Sequence, residues 1–394
     1  MNNSIKALDN RNLEILSIIQ KKGPITKKLL LEITGMTLTT LNRVMKNLEE
    51  KKLLVEFGAS ESTGGRKAIE YEVSAIGFYS IGIDISRTYV KIVVTNLKLI
   101  IMKKEEFIMD ESFSPEKTLD KIVSIIEQML LDLHINKDEI LGIGVGTVGP
   151  IDREKGIILE PKGFFNEFWD NVAIKARLEE KLNLTCYIDN GANTAILAEA
   201  LYGIGKELKT LVYIHCGIGI RSAIITDGKI IRAINDGEDA FGNMVVAYKG
   251  EANGDLSYGT VENYSTIEAI VDKINEKRTA PIKINEINYK NALIAEVFNS
   301  REALKIIDEG AEMLGIGLLN LVRFMNPQLI ILSGPLIMNF MHYYEKCIES
   351  FNKYSEFQHK VLFNKGGVFK EDIIAIGAAA MIIELHFAKM DNKI

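Results

Sequence analysis

Cysteine is scarce in this chain: 394 residues hold three, Cys186, Cys216 and Cys347, far apart and without a C-x-x-C pair. That excludes a disulfide framework and gives no zinc signature, so three reduced core thiols are expected. There is no apolar run of the roughly 18 residues that a membrane-spanning helix needs. The opening stretch, M-N-N-S-I-K-A-L-D-N, lacks the apolar segment of a secretory leader. A cytoplasmic protein with no membrane partner is expected. Tryptophan occurs once, at Trp169.

What is present is an ordinary globular composition, 47% hydrophobic and 25% charged. The length suits about two to three domains. The net charge of -6 hides an asymmetry: residues 1 to 72 carry 12 Lys and Arg against 9 Asp and Glu, and the remainder carries 35 against 44. A positive first segment on an acidic body fits a nucleic-acid contact confined to that segment.

The first segment reads as three helices and a hairpin. Asp9 to Lys22 puts Leu13, Leu16 and Ile19 on one face, and Gly23-Pro24 stops it. Thr26 caps a second short helix carrying Leu29, Leu30 and Ile33, which breaks at Gly35. Thr37 caps a third, with Leu38, Leu41, Val44 or Met45, and Leu48 inward. Its outward face then carries Thr39, Thr40, Asn42, Arg43 and Lys46. Asn and Arg can hydrogen-bond base edges and Thr and Lys can reach phosphate or a thymine methyl, although a solvated helix face would look the same. Leu53 to Phe57 and Ala68 to Val73 flank S-E-S-T-G-G-R-K, whose Gly64 and Gly65 permit a tight tip beside Arg66 and Lys67. Helix, helix, recognition helix and wing follow in that order, and double-stranded DNA is the expected partner.

The body turns on Tyr187 to Ala200, Y-I-D-N-G-A-N-T-A-I-L-A-E-A. A β run ending at Ile188 is followed at once by a helix, which presents Asp189, Asn190 and Asn193 at the carboxyl end of a strand, where open α/β sheets bind ligands. Strand pairs are expected around I-G-I-D-I-S-R-T-Y-V and over Thr210 to Arg232, with a turn at Asp227-Gly228. Helices are expected over Pro115 to Leu133, Arg301 to Asn320 and the chain's end, and a polar helical stretch over Ser265 to Phe298. The glycines of G-I-G-V-G-T-V-G-P fit either a ligand loop or a tight turn, and Trp169 either a stacking platform or core.

These segments resemble the ROK family (repressors, open reading frames and kinases), and the resemblance runs over essentially the whole chain. The first segment, down to its T-G-G-R tip, is similar to the winged helix of ROK repressors. N-G-A-N at Asn190 to Asn193 resembles the family's Asn-Asp-Ala-Asn sugar motif, whose Asp is the catalytic base; Gly191 stands at that position. D-I-S-R-T resembles the D-x-G-G-T phosphate loop of the actin-like ATPase superfamily, with Ser86 and Arg87 for the two glycines. G-I-G-I-R-S resembles the second phosphate loop, with Ile220 and Arg221 for two more. D-A-F-G-N-M is similar to G-E-I-G-H-M, with Ala240 and Asn243 for the Glu and His, and Asn253, Asp255 and Thr260 replace the cysteines of the family's zinc segment. N-P-Q-L-I-I-L-S-G-P resembles the segment whose glycine, here Gly334, lies near adenosine in kinases.

The resemblance implies an α/β protein: an N-terminal winged helix-turn-helix followed by a two-lobed actin-like, sugar-kinase-like body. The expected division is residues 1–75 for the winged helix, 76–190 with a C-terminal helix at 375–394 for a small lobe, and 191–374 for a larger lobe. It implies an effector set of Asn166, Asn190, Asn193, Asn243 and Glu262, no catalytic residue, no bound metal and no cofactor. The expected function is a transcriptional regulator, a repressor of carbohydrate genes, whose body binds a sugar or sugar phosphate without phosphorylating it, as a homodimer or higher homo-oligomer. A body serving only for dimerisation or protein docking, and a sugar kinase, are the competing readings.

Overall fold

A computed structural model of the chain describes residues 8–59, 68–232, 239–248, 258–282, 300–355 and 361–387. The first unit comprises α1 (Asn10–Lys22), β1 (Ile25–Thr26), α2 (Lys27–Thr34), α3 (Leu38–Glu50), β2 (Leu54–Ala59) and β3 (Ile69–Val73). Three short polar side chains start its helices: Asp9, Thr26 and Thr37 accept from the backbone N–H of Asn12, Leu29 and Thr40. Strand β3 pairs with both β1 and β2, giving a three-stranded antiparallel sheet beside the helices. Leu41, Val44, Met45 and Leu48 face inward together. Leu38 does not: as the first residue of α3 it points to solvent and is 55% exposed. On α2 only Leu30 is buried, while Leu29 and Ile33 lie on its outer side, because a helix of two turns touches the core along one stripe. The wing tip, with Arg66 and Lys67, lies outside the described residues.

The body begins with β4 (Tyr79–Ile85), β5 (Tyr89–Asn96) and β6 (Ile101–Ile108), a meander. Helix α4 (Pro115–Asp132) leads to β7 (Ile140–Thr147), then come the short pair β8 (Ile151–Asp152) and β9 (Ile157–Ile158), α5 (Ile174–Leu182), β10 (Cys186–Asn190) and α6 (Gly191–Tyr202). Strands β7 and β10 add in parallel, for a sheet order β10-β7-β4-β5-β6. A second sheet repeats that plan. Strands β11 (Thr210–Cys216), β12 (Ile220–Thr226) and β13 (Lys229–Ile230) form its meander, and β16 (Leu329–Ser333) and β17 (Leu362–Lys365) add in parallel, giving β13-β12-β11-β16-β17. Asp227 and Gly228 both take positive φ at the β12–β13 turn.

Between these strands lie β14 (Val245–Tyr248), β15 (Tyr258–Thr260), α7 (Val261–Ser265), α8 (Ile267–Asn275), α9 (Arg301–Met325), α10 (Pro335–Asn339) and α11 (Met341–Tyr354), and α12 (Ile373–Phe387) closes the described chain. Helix α9 runs five residues past the expected Asn320, to Met325, where Asn326 caps it in the left-handed region. The stretch expected to be polar instead contains α8, which buries Ile267, Ile270, Val271 and Ile274; residues 283–299 lie outside the described set. Helix α12 packs on β4 and β7 so closely that the strands carry glycine beneath it. A Cβ on Gly82 would stand 1.9 Å from the Ala375 carbonyl oxygen, and one on Gly144 1.9 Å from that of Ala378.

The winged helix shares its core with the body. Leu13, Leu16, Leu41, Leu48 and Tyr71 belong to one buried cluster with Phe78, Leu97 and Leu99 and with Ile376, Ala379, Ile383 and Phe387 of α12. Among the described residues no helix is long and apolar enough to cross a membrane.

Candidate functional site

Two surfaces carry the chemistry. The first is α3. Its exposed side presents Thr39, Asn42, Arg43 and Lys46, with Thr40 half-buried and its hydroxyl 2.9 Å from that of Thr37. Lys27 of α2 donates to Asn42 Oδ1 at 3.0 Å, which fixes the amide's orientation on the surface. Lys46 stands 3.8 Å from Glu50, an exposed pair of little energetic weight.

The second lies at the carboxyl ends of β4, β7 and β10, where Asp84 faces Gly146 and Asn190 faces Thr147 across the ladder. Asp189 is buried and ionised there. Arg153 Nε at 2.7 Å, Arg232 Nη2 at 3.0 Å and Asn193 Nδ2 at 2.9 Å all donate to its carboxylate. Burial pushes the Asp189 pKa up, but Arg153, Arg232 and Asn193 outweigh it and hold the carboxyl below the usual range. Asp189 is thus a charged anchor, which fits poorly with a base poised near neutrality.

Asn190 caps α6 by accepting from Ala192 N at 2.8 Å, and it has no exposed surface. Its Nδ2 has no hydrogen-bond partner among the described residues. A buried donor left unpaired costs about 1 to 3 kcal/mol, so the position asks for an acceptor. Gly191 follows as the first helical residue; a Cβ there would meet Ile374 at 3.4 Å and the Thr147 carbonyl at 3.7 Å, ordinary contacts.

The five residues expected to hold an effector are not gathered in one cavity. Asn243 and Glu262 line a cleft of about 800 Å³ together with Arg87, Gly149, Pro150 and Arg221. Asn193 lines a separate cavity of about 330 Å³ with Arg153, Arg232, Phe241 and Met244. Its amide is drawn there because Asp189, held by the two arginines, takes it. Asn190 lines neither cavity. Asn166 is turned outward: it caps the short turn Glu167–Trp169, and its Nδ2 donates to the Glu111 carbonyl at 3.0 Å. Trp169 is core, stacked on Phe164 at 4.4 Å between ring centres.

The two turns that resemble phosphate loops carry charged side chains beside the cleft. Arg87, on the β4–β5 turn, donates through Nε to the Lys162 carbonyl at 2.7 Å. Glu262 accepts from Ile220 N at 3.0 Å and pairs with Arg221 at 3.5 Å. A Cβ built on Gly219 would lie 2.7 Å from Glu262 Oε1, 3.3 Å from Arg221 Nη1 and 3.4 Å from Arg87 Nη1. Three charged side chains therefore crowd a backbone that would otherwise stand bare for phosphate oxygens. Burial, with the charges of Arg87 and Arg221, brings the His215 pKa down to about 4. Near Gly334 the space is about 180 Å³, bounded by Tyr89, Lys91, Tyr213 and Pro335, below the roughly 300 Å³ at which small-molecule sites begin.

Asp84 sits behind this cluster. Burial pushes its pKa up to about 7, against the pull of Lys91 and of the Tyr89 hydroxyl, which donates at 3.0 Å. A raised carboxyl pKa favours the protonated fold, so the contribution of Asp84 to stability is complete below about 4 and is lost as pH rises through about 7. Asp84→Asn is expected to keep that contribution at every pH: urea midpoints should separate variant from wild type at pH 8 and converge at pH 4.5. Equal slopes for both proteins would show that Asp84 is not the titrating group.

Sequence reasoning missed Arg153, Arg232 and the Lys91–Asp372 pair at 2.9 Å, because each joins distant segments with no spacing signal. Cys186, Cys216 and Cys347 are free and buried, and burial pushes the Cys216 thiol up to about 12. Asn243 and Thr260 offer no thiolate or imidazole to the family's zinc, and Asn253 and Asp255 lie outside the described residues.

Comparison with known proteins gives two sequence profiles, one described as ROK family over residues 80–384 and one as winged helix-turn-helix DNA-binding over residues 8–55. The xylose repressor of Bacillus subtilis (strain 168) is 25% identical over 389 residues, covering 95% of each chain. Among solved structures, a ROK family transcriptional regulator, a homologue of the E. coli MLC protein, superposes with a TM-score of 0.73 at 18% identity, covering 96% of this chain and 97% of the other. The ROK hexokinase of Thermus thermophilus superposes with a TM-score of 0.62 at 20% identity, over 77% of this chain and 97% of its own.

Proposed function

This chain belongs to the ROK family, and from that premise we propose that it is a sequence-specific DNA-binding repressor of carbohydrate genes whose kinase-like body senses a sugar without phosphorylating it. The observation that carries the reading is the pairing of a polar α3 face with a body that has Arg87 and Arg221 where the family's phosphate loops have glycine. Gly191 leaves no carboxylate to deprotonate a sugar hydroxyl, and losing a general base alone costs about 10²- to 10⁴-fold. The protein acts in the cytoplasm on operator DNA as a homodimer, with the winged helix at 1–75 and lobes at 76–190 plus the last helix and at 191–374. Half-sites about 34 Å apart, or a multiple of that, match two such reading heads.

Asn190 has no exposed surface in this structure. Effector binding at Asn190, Asn193 and Glu262 requires the lobes to part, and the sugar selects the open angle by its differential affinity. The cleft lining sets five carboxylates (Glu160, Asp239, Glu262, Glu268, Asp272) against Arg87, Lys162 and Arg221, which suits a neutral or amino sugar better than a sugar phosphate.

The test is thermal unfolding of the full chain with D-xylose, common hexoses, amino sugars, their phosphates and ATP. A ligand at 100 times its dissociation constant adds about 2.7 kcal/mol. A sugar should stabilise the protein and ATP should not. Asn190→Ala should abolish both the stabilisation and the sugar response of operator binding while operator binding without sugar persists. Loss of operator binding in that variant would unseat the idea of separate sensing and reading sites. The separation of Asn193 from Glu262 favours a second reading, a body that only dimerises or docks a protein, and silence of every sugar would establish it over the first.

A further inference from the structure

One helix joins the proposed sensing residues to the DNA-binding unit. Helix α6 starts at Gly191, between Asn190 and Asn193, and ends at Tyr202; its 12 residues span about 18 Å at 1.5 Å per residue. At its far end the Tyr202 hydroxyl lies 2.9 Å from Oε1 of Gln20, a buried residue of α1. Gln20 in turn donates through Nε2 to the Leu97 carbonyl of the body at 2.9 Å. The same hydroxyl is hydrogen-bonded to a carboxylate oxygen of Glu384 on α12. The other oxygen of Glu384 is 2.6 Å from Lys21 of α1. A phenol has one proton, so this hydroxyl serves one of two acceptors at a time, Gln20 on the reading side or Glu384 on the body side.

The helix between is held tightly against α12. A Cβ on Gly377 of α12 would stand 2.0 Å from the Thr194 carbonyl of α6, so the two backbones are in contact there. Thr194 Oγ1 also accompanies α12, 3.2 Å from the Ile374 carbonyl. Side-chain rearrangement cannot absorb a shift where backbone meets backbone. At the receiving end, α1 and α3 share one buried core, so α1 cannot turn without carrying the α3 face with it.

We propose that Tyr202 is the positioning residue that couples events at the start of α6 to the placement of α1 and so to the DNA-reading face, its hydroxyl exchanging Gln20 for Glu384 as α6 shifts. The inference rests on the sensing role assigned above to the Asn190 end.

Tyr202→Phe keeps the ring and removes only the hydroxyl. In the full chain it should melt within a few degrees of wild type and bind operator within about 3-fold, while the change in operator affinity caused by saturating D-xylose falls by about 10-fold. A second measurement needs no sugar. Amide exchange across Asn10–Lys22 is compared in wild type, Asn190→Ala, Tyr202→Phe and the double variant, two positions too far apart to interact directly. Coupling predicts that Asn190→Ala alters α1 exchange several-fold only when Tyr202 is present. Additive effects, within about 2-fold, overturn the proposal whether or not any sugar binds. Failure of D-xylose to bind wild type would instead count against xylose as the effector and leave the exchange cycle to decide on Tyr202.

Discussion

Gly82→Val is expected to abolish folding of the body. Gly82 lies mid-strand in β4 beneath α12, and an added Cβ would stand 1.9 Å from the Ala375 carbonyl oxygen and 2.9 Å from Ala379 N. Both atoms are backbone, so no rotamer change relieves the clash; either α12 lifts from the sheet or β4 leaves its register. Lifting α12 would expose Ile376, Ala379, Ile382 and Ile383, all buried. A cost above about 4 kcal/mol follows, enough to remove most of a domain's stability. Soluble yield and thermal unfolding check it, with Gly191→Ala as control: there the new methyl finds only ordinary contacts at 3.4 and 3.7 Å, and stability should change by less than about 1 kcal/mol. A Gly82 variant that melts like wild type would mean that β4 and α12 are not in backbone contact at this position.

The second large effect concerns the reading helix. Replacing Asn42 and Arg43 together by Ala should weaken operator binding by about 10²- to 10³-fold, since each bidentate base contact is worth about 1 to 3 kcal/mol. Both side chains are exposed and outside the core, so the variant should melt with wild type and keep any sugar-induced stabilisation. Anisotropy titrations on a selected operator and on an unrelated duplex separate the outcomes. Equal loss on both would make these residues phosphate contacts, and a loss below about 3-fold would remove α3 as the reader.

How much of this was legible in the sequence depended on how local the cause was. Asp9, Thr26 and Thr37 announce helix starts because a cap needs only its own side chain and a backbone N–H three residues on. The Asp227-Gly228 turn was legible for the same reason. Leu38 read as inward because periodicity assigns a face without saying how wide the buried stripe is at a helix end. The effector set is spread over separate cavities for a different reason. Asn190 to Asn193 carries the motif, but what Asn193 faces is set by Arg153 and Arg232 converging on Asp189, and what Glu262 faces is set by Ile220 and Arg221. Charged residues arriving from distant segments leave no pattern along the chain.

The core shared by the winged helix and α12 has a consequence for how such a protein can be rearranged. Leu13, Leu16, Leu48 and Tyr71 belong to the same apolar cluster as Ile376, Ala379, Ile383 and Phe387, from the opposite end of the chain. A reading head cut free would carry an uncovered greasy patch, and one transplanted onto a foreign body would need a matching closing helix. New operator preferences are therefore easier to reach by rewriting the outer residues of α3 than by exchanging whole heads between relatives.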